Sequence, residues 1–110
     1  MYQDKVVLCG ASAYEKKFYL NEDFSSLPQQ VKDELKIACV LYTAEVGGVI
    51  TIEFDQEGTL DIVASSKEND LLFDEIGSAL KIKDMQIKKR ELWETLELYY
   101  KVFFLGEDLK

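Results

Sequence analysis

A strict alternation of apolar and polar residues between 49 and 65 constrains the fold of this chain more than any other feature. The alternation is broken at residues 55–58. Before this break, the apolar residues share one face of an extended chain, and they are Ile50, Ile52 and Phe54. The interruption at 55–58 reads Asp-Gln-Glu-Gly, and its glycine can adopt the positive φ that a tight turn requires. The alternation resumes at Leu60 and continues through Ile62 and Ala64. The pattern predicts a β-hairpin with one buried face.

Two short apolar segments precede a helix signal in the first half of the chain. Strands are predicted for Val6–Cys9 and Lys17–Leu20, with a loop between them. Ser26 is the predicted N-cap of a helix that starts at Pro28 and runs to about Glu45.

The helix from Pro28 carries two apolar stripes. The first has helical spacing from Val31 to Val46, and the second comprises Ile37, Leu41 and Ala44, so we expect burial on more than one side. The spacing of the apolar residues, taken alone, also allows a β-strand from Ile37 to Thr43. The Gly47-Gly48 pair favours the helix, because glycine commonly ends helices.

Helical spacing returns in the last third of the chain. One apolar stripe comprises Leu72, Ile76, Ala79 and Leu80. The rest is either one long helix or two helices that bend near Lys83–Gln86, and it ends at Gly106. The order β-β-α-β-β-α-α predicts a single α+β domain over residues 1–110, with a two-layer architecture: a largely antiparallel four-stranded sheet packs against the helices.

The chain contains no histidine, which removes the side chain best suited to proton transfer near neutral pH. Histidine-based nucleophilic catalysis and histidine-ligated metals are therefore excluded. Cys9 and Cys39 are far apart in sequence and form no CxxC motif, so we expect two free, buried thiols. Cys9-Gly10-Ala11-Ser12 is superficially similar to a nucleophile on a turn, but no histidine activates it. The sequence favours a non-enzymatic protein, with no cofactor predicted.

The excess of 21 acidic over 13 basic residues, a net charge of -8, disfavours nucleic acid and anionic membranes as partners. A basic run from Lys81 to Arg90 is interpreted as a solvated helix face. The acidic hairpin residues Glu53, Asp55, Glu57 and Asp61 lack calcium-loop spacing, and no metal is predicted. No segment has the length of a membrane span or of a signal-peptide core, so a cytoplasmic location is expected.

An aromatic band near the C-terminus carries the most apolar surface per residue. It is the predicted binding surface: Trp93, Tyr99, Tyr100, Phe103 and Phe104. A helix with aromatic residues on several sides cannot bury all of them against one sheet, which predicts a homodimer or another protein partner. The alternative is a small-molecule-binding domain whose apolar pocket, between sheet and helices, is lined by some of Phe18, Tyr42, Phe54, Trp93 and Tyr100.

Three segments, Leu8–Ser12, Val46–Val49 and Leu98–Gly106, resemble a family of small uncharacterised bacterial proteins, mainly of clostridial type. The resemblance covers nearly the whole chain. It implies a bacterial cytosolic protein of one domain. Because that family has no assigned activity, the resemblance transfers no site residue to this sequence.

Overall fold

A computed structural model describes residues 5–107 as four strands and three helices. The strands are β1 (Val6–Ser12), β2 (Lys17–Leu20), β3 (Val49–Phe54) and β4 (Leu60–Ser65), and the helices are α1 (Gln29–Val46), α2 (Glu75–Lys88) and α3 (Arg90–Phe103). A short 3-10 turn, Glu22–Phe24, follows β2. The predicted order and the α+β class are confirmed. The polar residues 1–4, which belong to the predicted domain 1–110, lie outside the described residues together with 108–110.

The sheet is open and antiparallel, with strand order β2-β1-β3-β4. β3 and β4 pair from Val49 opposite Ser65 to Phe54 opposite Leu60, which confirms the predicted hairpin. In its turn, Asp55 Oδ1 accepts hydrogen bonds from two main-chain N–H groups, and Gly58 has a φ of 86°. These contacts fix the turn, and therefore the register that buries one face of β3.

β1 extends to Ser12, three residues beyond the predicted end at Cys9, because it pairs with a strand on each side. Gly10 therefore lies inside a strand and not in a loop. A Cβ atom there would lie 2.7 Å from the carbonyl oxygen of Ile50. A bulge between Val7 and Cys9 shifts the register, so that Leu8 and Cys9 are both buried.

α1 begins one residue after the predicted start, directly behind Pro28. The predicted cap at Ser26 is wrong. The Ser26 hydroxyl shares a hydrogen bond of 2.8 Å with the Tyr99 hydroxyl, and no side chain caps the helix. The helix continues through residues 37–43, which excludes the alternative strand, and it ends where Gly47 adopts a φ of 80°.

The helices cover one face of the sheet, and the core lies between the two layers. One stripe of α1 enters this core, namely Leu35, Ala38, Cys39, Tyr42 and Val46. The second stripe, which contains Ile37 and Leu41, is exposed. The expectation that α1 is buried on more than one side is therefore wrong for the described chain, because no layer lies above α1.

The last third of the chain forms two helices, and the break lies at Lys89, beyond the predicted bend at 83–86. Trp93 makes this break stable, because its indole N–H donates to the main-chain oxygen of Met85 at 2.9 Å. Within α3, the Glu97 carboxylate accepts a hydrogen bond of 2.7 Å from the main-chain N–H of Leu60. This bond holds α3 against β4. Within residues 5–107, no helix combines the length and apolarity that crossing a membrane requires.

Candidate functional site

The predicted aromatic band is divided between the core and the surface. Trp93 and Tyr100 are buried. The Tyr100 ring stacks on Phe54 with centroids 4.3 Å apart and on Phe104 at 5.0 Å, and Phe24 stacks on Phe104 at 4.7 Å. Stacked aromatic pairs add stability beyond the area that they bury. This part of the band therefore holds α3 and the 3-10 turn on the sheet.

The remaining residues of the band reach the surface. Phe103 is 71% exposed, and Phe104 is partly exposed beside it. Tyr99 is half-buried, and its ring lies 4.8 Å from that of Phe103. We call these three residues the C-terminal aromatic surface.

A second apolar surface lies on α1 and α2, on the side away from the sheet. We call it the outer helical face and define it by four side chains. Their exposed fractions are 56% for Ile37, 51% for Leu41, 76% for Ile76 and 64% for Leu80. The residues before α2 add Leu71 and Leu72, which are almost fully exposed. Exposed apolar side chains in such number make the outer helical face a candidate interaction surface.

The two halves of the outer helical face are held side by side. Glu45 continues the stripe of Ile37 and Leu41 at helical spacing, and its carboxylate forms an ion pair of 2.9 Å with Lys81 of α2. Leu80 and Glu45 line the same shallow groove between the helices. The exposed stripes of α1 and α2 therefore lie on two neighbouring helices.

Where α2 passes α1, the residue that α2 turns inward is small and polar. Ser78 and Met85 are its buried residues, and the Ser78 hydroxyl shares a hydrogen bond with the Tyr42 hydroxyl. Burial raises the pKa of Tyr42, so the phenol stays protonated at physiological pH. The predicted stripe of Leu72, Ile76, Ala79 and Leu80 thus faces away from the core.

The two cysteines meet in the core as free thiols. Cys9 of β1 and Cys39 of α1 are fully buried, with sulfur atoms 4.0 Å apart. The contact with Cys39 and burial raise the pKa of the Cys9 thiol far above its usual range. A protonated, buried thiol is a poor nucleophile. The structure also places Cys9 and Ser12 on one strand, so the segment between them forms no nucleophile turn.

The acidic residues of the hairpin are compensated by other groups. Lys5 lies 3.8 Å from Glu53 and 3.6 Å from Asp61. Hydrogen bonds from the main chain, that of Thr59 foremost, lower the pKa of Asp55. Among residues 5–107, no group of three or more acidic or cysteine side chains could hold a metal ion.

Four of the five residues named for the pocket of the alternative interpretation lie in the core, and the fifth lines a cleft. Tyr42, Phe54, Trp93 and Tyr100 are all packed in the core. Phe18 differs, because it lines an open cleft between the β1–β2 turn and α1.

The outer helical face was missed because helical periodicity shows which residues share a face but not which way the face points. One signal was available: Gly77 and Ser78 interrupt the apolar residues of α2 on the side that packs against α1. Small residues allow close approach of two helices, so this side is the better candidate for the contact with α1.

The fold and its surfaces define a small α+β protein. Its helices cover one face of an open antiparallel sheet and expose apolar side chains on the side away from the sheet. The chain belongs to a family of unknown function, DUF6145, whose model matches residues 5–108. Neither the comparison with curated proteins nor the comparison with solved structures found a match.

Proposed function

We propose that this protein is a non-enzymatic interaction module that forms a homodimer through its outer helical face. The observation that carries the proposal is the exposure of four large apolar side chains on two adjacent helices. Removing such a surface from water stabilises a complex at roughly 25 cal/mol per Å² of apolar area, before the costs of association. A second layer of helices would bury this surface.

A second copy is a suitable occupant, because two acidic side chains of these helices are paired with lysines although the chain as a whole is acidic. Glu45 is paired with Lys81, and Asp84 is paired with Lys88 at 3.3 Å. These ion pairs reduce the repulsion that a net charge of -8 would otherwise produce between two copies at this face. Contacts of twofold symmetry are the commonest solution for such a self-complementary surface.

The C-terminal aromatic surface is the competing location for the same function. Phe103 supports it, because an exposed phenylalanine beside Tyr99 and Phe104 is a typical interface anchor. The outer helical face is favoured because it is broader and spans two helices. We place the module in the cytoplasm, in keeping with its two free thiols.

Sedimentation velocity of three charge-insertion variants tests the proposal and separates the two surfaces. Leu80→Glu removes an anchor of the outer helical face, and Phe103→Glu removes one from the C-terminal aromatic surface. Tyr19→Glu is the matched control, because Tyr19 is a similarly exposed residue on the edge strand β2. Circular dichroism of each variant checks that the fold is retained.

The expected result is a dimer for the wild type and for Tyr19→Glu, and a folded monomer for Leu80→Glu. Dissociation by Phe103→Glu alone would move the interface to the C-terminal aromatic surface and overturn the assignment to α1 and α2. A wild-type monomer at high micromolar concentration would overturn the homodimer itself.

A further inference from the structure

The cleft that Phe18 lines lies at the edge of the sheet, away from the outer helical face. It is about 570 Å³ in volume and opens to solvent between the β1–β2 turn and α1. The side chains that matter to the argument are Ser12, Lys16, Lys17, Phe18, Lys36 and Val40. A volume of this size is typical of sites for small organic molecules. We call it the lysine cleft.

The charge of the lysine cleft is opposite to that of the chain. Every ionisable side chain that lines it is a lysine: Lys16 and Lys17 from the turn and β2, and Lys36 from α1. None of the three forms an ion pair with a carboxylate among residues 5–107, whereas Lys5, Lys81 and Lys88 do. Glu15 lines a groove on the outer face of the sheet, and Lys17 lines that groove as well as the cleft. Lys16 of the turn and Lys36 of α1 therefore flank the cleft without an acidic partner among the described residues, and unpaired ammonium groups attract an anion.

The walls of the lysine cleft are apolar between the lysines. Phe18 is half-buried, and Val40 is 41% exposed because no other side chain fills the space in front of it. Ala11, Ala13 and Ala44 complete this wall. A bare inorganic anion would leave the apolar wall uncovered, whereas a molecule with a hydrocarbon body would cover it.

Two hydroxyl-bearing residues border the cleft, Ser12 and Thr43. Ser12 Oγ accepts the N–H of Glu15 at 3.2 Å, which leaves its own hydrogen free. Thr43 has the opposite arrangement, because its hydroxyl donates to the main-chain oxygen of Val40 at 3.1 Å and retains free lone pairs. The Ser12 hydroxyl therefore holds the β1–β2 turn, and the Thr43 hydroxyl on α1 offers an acceptor at the cleft.

We propose that the lysine cleft binds a small organic anion with an apolar body. Lys16 and Lys36 neutralise the anionic group, and Phe18 and Val40 cover the hydrocarbon part. The site is independent of the proposed dimer, since it shares no residue with the outer helical face.

Backbone amide NMR during titration with 4-phenylbutyrate tests this site. The expected result is a saturable shift at residues 12, 17, 36 and 40. The uncharged analogue 4-phenylbutan-1-ol should bind at least about fivefold more weakly, because it lacks the charge. Inorganic phosphate alone should give no saturable shift there, because it covers none of the apolar wall.

Two variants and a matched control make the test specific to the lysines. Lys36→Gln and Lys16→Gly should each weaken binding of 4-phenylbutyrate by about threefold to fivefold. Lys16→Gly should not lower the melting temperature, because Lys16 has a φ of 54°, a conformation that glycine adopts without strain. Lys83→Gln makes the same charge change on an exposed part of α2 and should leave binding unchanged.

The proposal is overturned if 4-phenylbutyrate gives no saturable shift at the cleft, or if Lys83→Gln weakens binding as much as Lys36→Gln. Phosphate binding as tight as that of 4-phenylbutyrate would overturn the role of the apolar wall. A monomeric protein that still binds 4-phenylbutyrate would refute the dimer and leave the lysine cleft intact.

Discussion

The hydroxyl groups of Tyr42 and Ser78 share a hydrogen bond in the interior, where α1 and α2 cross. Tyr42 is completely buried and Ser78 nearly so, so neither hydroxyl can turn to water when its partner is removed. This contact fixes which side of α2 faces α1, and therefore which side carries Ile76 and Leu80 outward.

A double-mutant cycle measures the energy of that contact. Tyr42→Phe and Ser78→Ala should each lower the free energy of unfolding by about 1–2 kcal/mol, because each leaves a buried hydroxyl without a partner. The double variant should lose less than the sum of the two, by about 1 kcal/mol, when followed by urea unfolding. Additive losses would show that the two hydroxyls do not interact.

Trp93 has a structural role that a binding residue would not have. Trp93→Phe removes one of the two donors to the Met85 carbonyl at the break between α2 and α3 and leaves only the main-chain N–H of Lys89 bonded to it. We expect the free energy of unfolding to fall by about 2 kcal/mol, from the lost hydrogen bond and the smaller side chain. Phe103→Leu on the same helix is the control and should change it by less than about 0.5 kcal/mol. Equal effects of the two substitutions would contradict this role.

The sequence predicted the hairpin well because its two determinants are local. Alternation decides which face of β3 is buried, and Asp55 with Gly58 supplies the turn. The ends of β1 were less predictable, because its extension to Ser12 depends on pairing with β3, which is far away in sequence. Long-range pairing of this kind overrides the local preference of Gly10 for a loop.

The surfaces were less predictable than the fold. Tyr100 belongs to the same aromatic band as Phe103, and only its packing against Phe54 and Phe24 distinguishes its buried ring from the exposed ring of Phe103. The lysine cleft is formed when Lys36 of α1 approaches the β1–β2 turn, a contact that no spacing in the sequence indicates. Its only local signal is the adjacent pair Lys16-Lys17.

Asp55 should make the hairpin sensitive to acid. Main-chain donors, foremost the N–H of Thr59, lower the pKa of Asp55 below its ordinary value of 3.8. A carboxyl with a lower pKa in the folded state stabilises that state above pH 3.8, and this stabilisation is lost as the pH falls through the folded-state pKa.

Asp55→Asn keeps an oxygen acceptor but removes the charge. When the pH is lowered from neutral to strongly acidic, the urea midpoint of unfolding should therefore fall less for this variant than for the wild type. Glu57→Gln, in the same turn, is the matched control and should retain the wild-type dependence on pH. Identical pH profiles for Asp55→Asn and the wild type would contradict the account of the turn.

The buried thiols should react slowly in the folded protein. Cys9 and Cys39 are both fully buried, and the pKa of the Cys9 thiol is raised by its contact with Cys39 and by burial. Modification by a disulfide reagent at neutral pH should therefore be at least about a hundredfold slower than in urea, since it requires local opening. Fast reaction of Cys9 in the folded chain would instead support a thiol-based redox enzyme.

Native mass spectrometry of the gently purified wild-type protein tests the central claim most directly. The account predicts an assembly of twice the 12.6 kDa chain mass, which Leu80→Glu converts to a folded species of single-chain mass. A wild-type protein that remains at single-chain mass over the whole micromolar range would contradict the claim that the outer helical face joins two copies.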